Sequence, residues 1–148
     1  MAVTAKKFGK SAYNAYMKKI SDLSATGSDI RVMLCTSSYT PNQDTHESKS
    51  DVTGEVVGTG YTSGGASLSS RTLTYDEATN TISFKGADVE WPSSTITARY
   101  AVVYDNTPTT NADKKLLAYV DFGEDKVSSD GTFKLLWHTD GIFKITVA

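Results

Sequence analysis

Two histidines, His46 and His138, and one cysteine, Cys35, are the residues of this 148-residue chain best suited to nucleophilic or acid–base chemistry. A cysteine nucleophile needs a nearby base and an electropositive setting to become a thiolate. Neither histidine lies near Cys35 in sequence. Cys35 closes an apolar run, Asp29–Cys35 (DIRVMLC), and is expected to be a small core hydrophobe. Asp44, Glu47 and Asp51 lie close to His46 and could be imagined around a cation. Their spacing matches no metal-site pattern, and zinc sites favour histidine together with cysteine, so a solvated polar loop is expected. His138 and Asp140 bracket a turn, and no serine sits in a nucleophile-elbow pattern. The acids Asp76, Glu77, Asp88, Glu90, Asp121, Glu124 and Asp125 lie mostly at expected strand ends and suggest no glycosidase pair. The segment around Asp121 lacks calcium-loop spacing. Gly58–Gly65 (GTGYTSGG) is glycine-rich but lacks the Lys-Ser/Thr of a phosphate loop. Its glycines are expected to permit tight turns at positive φ. The expectation is a protein that is not an enzyme and uses no cofactor or metal.

The elements that would position such groups are mostly strands. Thr95–Asp105 (TITARYAVVYD) has one wholly apolar and one half-apolar face, as in a strand with neighbours on both sides. Leu73 and Tyr75, then Ile82 and Phe84, alternate with polar residues around a DEATN turn and predict a hairpin. Leu116–Phe122 and Phe133–Trp137 predict two further strands joined through Ser129-Asp130-Gly131. Asp140-Gly141, flanked by alternating apolar residues, predicts a two-residue hairpin into Phe143, Ile145 and Val147. Seven or eight strands with frequent turns predict a mainly β chain: one antiparallel β-sandwich or barrel-like domain over residues 1–148. Ahead of it, in residues 1–28, Phe8, Ala12, Ala15, Tyr16, Ile20 and Leu23 follow a helical period and predict an amphipathic helix over Lys7–Leu23. Residues 29–148 form the expected sandwich. Between its strands lies a long polar connection, Thr36–Ala66, with a helix start at Thr40-Pro41 and a brief strand around Val52–Val57. So long a connection is usually functional or disordered.

Composition narrows the function classes. Charged residues are 22% and hydrophobic residues 39%, which fits a globular chain. A net charge of −2 leaves no basic footprint for nucleic acid. No apolar run is long enough to span a bilayer. The basic N-terminal stretch lacks the apolar centre of a secretory signal, and a lone cysteine asks for no oxidising compartment, so synthesis and folding in a cytoplasm are expected.

Four blocks carry a resemblance: VMLCTSSYTPNQDTH (Val32–His46), DVTGEVVGTGYTSGG (Asp51–Gly65), STITARYAVVYD (Ser94–Asp105) and AYVDFG (Ala118–Gly123). They are similar to a group of small virion-associated structural proteins of tailed bacteriophages. The resemblance implies a phage-particle component, made in the host cytoplasm and resident in the virion. It supplies no catalytic residues. A β-domain with one long polar loop suits a part that binds other subunits in many copies. The expected role is a non-enzymatic structural protein on the exterior of the head or head–neck region. Its expected partners are capsid, neck or tail subunits and further copies of itself, without nucleic acid or membrane. The expected contact residues are Phe8, Tyr13, Tyr16, Tyr39, Pro41, Asn42, His46 and Tyr61. The N-terminal helix is expected either to pack on the sheet and cover an edge or a face, or to dock on a neighbouring subunit; as a contact element it could be removed, Met1–Lys19, to leave a folded domain that no longer enters particles. Asn42–Ser50 is expected to be mobile until a neighbour orders it. The alternative is a tail- or fibre-associated module that binds host glycan or receptor, with Tyr39, Tyr61 and Trp91 as exposed aromatics.

Overall fold

The computed structural model describes residues 2–147 and, of Tyr16, only the backbone. In chain order the elements are β1 (Ala2–Val3), β2 (Lys6–Lys7), α1 (Gly9–Tyr16), β3 (Ile30–Cys35), a 3-10 turn at Lys49–Asp51, β4 (Ala66–Ser67), β5 (Thr72–Asp76), β6 (Thr81–Lys85), β7 (Val89–Asp105), β8 (Leu116–Trp137) and β9 (Phe143–Thr146). The chain is mainly β. A six-stranded sheet runs β1-β8-β7-β3-β4, with β2 also on β8, and a three-stranded sheet runs β5-β6-β9. The layering is sandwich-like, and the larger sheet is not closed into a barrel. It is also mixed rather than wholly antiparallel, because β1 lies parallel to β8.

The stretch Thr95–Asp105 is the C-terminal part of β7, which pairs with β3 on one side and β8 on the other. Its two faces feed two apolar clusters. Ala101 and Val103 join Val32, Leu34 and Val120 in the larger one. Val102 and Tyr104 join Met33, Cys35 and Leu116 in the smaller one. Period-two alternation on a central strand buried from both sides accounts for this division.

The two strands expected at Leu116–Phe122 and Phe133–Trp137 are one 22-residue strand. It cannot be straight. Val3 pairs with Trp137, and Lys7 pairs with Ala118. The chain between Val3 and Lys7 reaches at most about 14 Å, whereas a straight strand from Ala118 to Trp137 would extend roughly 60 Å. The β7–β8 ribbon must therefore fold over. It does so at register shifts, the largest between Ala98 and Tyr100, where β8 runs from Asp121 to Lys126 against a single intervening β7 residue. Gly123, at φ 81°, lies in that excursion.

Three local expectations are corrected. The helix covers Gly9–Tyr16 rather than Lys7–Leu23, because Val3, Ala5 and Lys7 alternate inward along β1 and β2 and the chain turns after Met17. Asp140-Gly141 does not close a β8–β9 hairpin: β9 joins β6 in the other sheet, with the Ile142 amide donating to the Phe84 carbonyl at 2.8 Å. The long connection forms neither a helix at Pro41 nor a strand at Val52–Val57; before β4 its regular pieces are the turn at Lys49–Asp51 and the bridges from Ser48 to Lys115 and from Glu55 to Cys35.

Candidate contact surface

The long connection is an internal cover of the large sheet. Tyr39 is buried in the smaller cluster, its hydroxyl 3.0 Å from His46 Nδ1 and its ring stacked on the imidazole at 5.6 Å. Asn42 Oδ1 accepts the amides of Asp44 and Thr45. Asp51 Oδ2 accepts the amides of Glu47 and Ser48, closing a capping box around the 3-10 turn. Glu47 lies 3.3 Å from the Lys115 ammonium and 3.7 Å from that of Lys10, and its carbonyl accepts the Leu116 amide. Gln43 ties the loop to the start of α1: its side chain donates to the Lys7 carbonyl and its own carbonyl accepts from Gly9. These bonds hold Asn42–Ser50 from within the chain and replace the expectation that only a neighbour orders it. They also engage the side chains of His46, Glu47 and Asp51, three of the four groups set close together in the sequence. Among the described residues no group of three or more His, Cys, Asp or Glu is placed to hold a metal ion.

The glycine-rich half is drawn in by one carboxylate. Glu55 accepts the Tyr61 hydroxyl at 2.9 Å, the Ser63 hydroxyl at 3.2 Å and the Gly64 amide at 2.5 Å. Tyr61 in turn accepts the Leu34 amide, and Tyr104 donates to the Gly64 carbonyl. Burial, with the Glu55 charge beside it, raises the Tyr61 phenol well above its ordinary value. Gly65, at φ 79°, lies against the backbone of β3, where a Cβ would collide with the Val32 carbonyl. These glycines serve close backbone approach.

Cys35 is fully buried, and burial, with a smaller contribution from Glu55, pushes its thiol up to about 12. A thiol so far from ionisation is a core group. His138 Nδ1 accepts the Asp140 amide, and its carbonyl accepts from Gly141, so the pair shapes a turn.

The contact residues expected from sequence separate into two sets. Phe8 and Tyr39 are each 1% exposed and belong to the core. Phe8 in particular overturns the outward-docking helix: it packs with Met33 and Leu116, so removing Met1–Lys19 would take away part of the core. Tyr61 is half-buried and stacks on Trp91, itself 4% exposed. The aromatic platform invoked for a glycan site is thus largely inside the domain. Pro41 and His46 are half-buried and Asn42 is exposed, all on the loop surface. Tyr13 is exposed on α1, with the Lys19 ammonium 6.0 Å from its ring. The side chain of Tyr16 lies outside the described residues.

An open apolar surface lies elsewhere, on the three-stranded sheet. Register pairs Leu73 with Phe84 and Tyr75 with Ile82, and on the other side Phe84 with Phe143 and Ile82 with Ile145. Directly paired residues share a face, so these six side chains form one apolar face. Phe84 is fully buried at one end of it, while Leu73 and Tyr75 remain 42% and 56% exposed. Between this face and the chain leaving α1, at Ile20 and Leu23, lies a cleft of about 540 Å³. Lys7 enters its wall, donating to the Ser11 hydroxyl and standing 5.2 Å from the Phe143 ring centroid. Burial lowers the Lys7 ammonium below its usual range. Met17, also exposed, follows α1. The alternation of Leu73 with Tyr75 and of Ile82 with Phe84 was readable as a hairpin, but nothing in it told which part of the face stays open.

No family model, curated protein or solved structure matches the chain.

Proposed function

We propose that the chain is a non-enzymatic structural component of a tailed-phage particle, on the exterior of the head or head–neck region, where it binds neighbouring virion subunits in many copies. The observation that carries this reading is the open apolar face of β5-β6-β9 and its cleft, with Leu73 and Tyr75 exposed on the face and Tyr13 and Met17 exposed on and just after α1. Large apolar groups left exposed together mark protein-contact sites. The four sequence blocks similar to phage structural proteins supply the class of neighbour. A sandwich-like core, covered on both faces of the central strands of its larger sheet, would hold such a surface in fixed orientation across an array. The tail- or fibre-associated glycan-binding alternative is weakened by the burial of Tyr39 and Trp91.

Cryo-electron microscopy of particles carrying this chain tests the proposal. The expected result is repeated density for the β-domain on the head or neck, with β5-β6-β9 turned toward a neighbour. In parallel, Ile82→Glu is expected to leave a folded chain by circular dichroism that no longer enters particles. Purified particles devoid of the chain would overturn the reading.

A further inference from the structure

We propose that β5 is a homotypic docking edge: two copies of the chain pair their β5 strands antiparallel about a two-fold axis at Thr74, joining two three-stranded sheets into one of six strands. The inference goes beyond the phage reading and does not depend on it, since it concerns the purified chain alone.

The direction of the β5 backbone groups follows from the pairing of β6 with β9. Val147 donates its amide to the Asn80 carbonyl at 2.9 Å, continuing the register in which Thr81 faces Thr146. Along a strand, successive residues direct their backbone groups to opposite sides. Asn80, Ile82 and Phe84 therefore bond toward β9, and Thr81, Ser83 and Lys85 bond toward β5. Their β5 partners are Asp76, Thr74 and Thr72. The amides and carbonyls of Leu73 and Tyr75 are left pointing away from the sheet. All five residues of β5 are exposed. An edge with unpaired donors and acceptors is a template for another strand unless charge, proline or a covering element blunts it. Thr72–Asp76 carries one charge, Asp76 at its end, and no lysine or proline, whereas the opposite edge, β9, carries Lys144 in its interior.

The side chains select a second copy as the occupant. Pairing about Thr74 sets Leu73 opposite Tyr75 of the second copy, and Tyr75 opposite its Leu73. The backbone groups that point outward then meet one another, and the two most exposed apolar groups of the open face cover each other. A two-fold contact must be self-complementary, and this strand is so in hydrogen-bonding direction and apolar pairing. A five-residue edge is smaller than the roughly 1,200–2,000 Å² of a standard stable interface, so the dimer is weak in dilute solution and gains from being one of several contacts in an array.

Register-specific cross-linking of the full chain tests this. Thr74 faces itself across the axis in a non-hydrogen-bonded pair, where Cα atoms approach to about 4.5 Å and a disulfide can form. Under mild oxidation at high protein concentration Thr74→Cys is expected to form a covalent dimer, while Thr72→Cys, which faces Asp76, stays monomeric. The native Cys35 is buried and does not compete. Adding Tyr75→Pro removes an outward amide without touching the β6 ladder, and is expected to abolish the cross-link with an unchanged circular dichroism spectrum. Equal cross-linking of Thr72→Cys and Thr74→Cys, or none by a folded Thr74→Cys chain, would overturn the inference.

Discussion

The two sheets are written in the same alternating code, yet they end differently. The central strands of the large sheet are covered on both sides, by the larger cluster on one face and by Tyr39, Val52 and the N-terminal Phe8 on the other. The three-stranded sheet is buried at Phe84 and Thr81 of its middle strand, Leu73 and Tyr75 of its apolar face stay exposed, and its β5 edge is exposed throughout. The cover of the large sheet uses long stretches of chain with their own hydrogen bonds, and ordering such stretches costs about 1–2 kcal/mol per residue of backbone entropy. Cover on that scale marks where stability resides. Its absence over Leu73 and Tyr75 marks where a partner can act.

The cover of the large sheet is most vulnerable at Phe8. Phe8→Ala leaves a cavity in the smaller cluster and is expected to cost about 3–5 kcal/mol, read from the urea midpoint of the isolated chain. A loss under 1 kcal/mol would return α1 to the surface. Gly65→Ala strikes the same cover. Its positive φ alone costs about 1–2 kcal/mol, and the collision with the Val32 carbonyl adds to that, so a destabilisation above 2 kcal/mol is expected by thermal melting. Cys35→Ser places a hydroxyl in a dry site and is expected to cost about 1–3 kcal/mol in denaturant unfolding, with Cys35→Ala milder.

Acid acts on the same cover with smaller effect. The hydrogen bond and charge of Lys115 hold the Glu47 carboxyl below its ordinary 4.5. For Asp51, burial raises the value, but the amides of Glu47 and Ser48 outweigh it and the carboxyl stays below 3.8. A depressed carboxylate stabilises the fold above its unfolded value and loses that contribution as pH falls through the folded one. The Glu47–Asp51 turn is therefore expected to lose amide protection as pH drops below about 4, before the β7–β8 ladder does, in hydrogen-exchange protection factors. The smallest effect belongs to the open sheet. Tyr75→Thr is expected to change the stability of the dilute chain by no more than about 0.5 kcal/mol while weakening dimerisation.

Much of the strand content was legible. Leu73–Phe84 announced a hairpin because its alternation and turn are local, and Thr95–Asp105 announced a central strand because both of its faces are apolar. The contact residues were less legible. Phe8 and Tyr39 sit in polar, turn-rich surroundings and were expected to face outward, yet long-range packing against Met33 and Leu116 buries them. Asp140-Gly141 has the dipeptide of a tight hairpin, but β6 offers β9 an unpaired edge and Phe84 for its Phe143 to pack on, and that pairing prevails.

The β class, the central strand, the core setting of Cys35 and the lack of a phosphate-loop pattern could be read along the chain, because each rests on residues adjacent in sequence. Tertiary structure alone decided that β7 and β8 form one folded-over ribbon, that the long connection is a cover rather than a free arm, and that the apolar face of β5-β6-β9 stays open. Those outcomes depend on which surfaces remain uncovered once distant segments have packed, and a period-two pattern reads the same whether its apolar face is covered or bare.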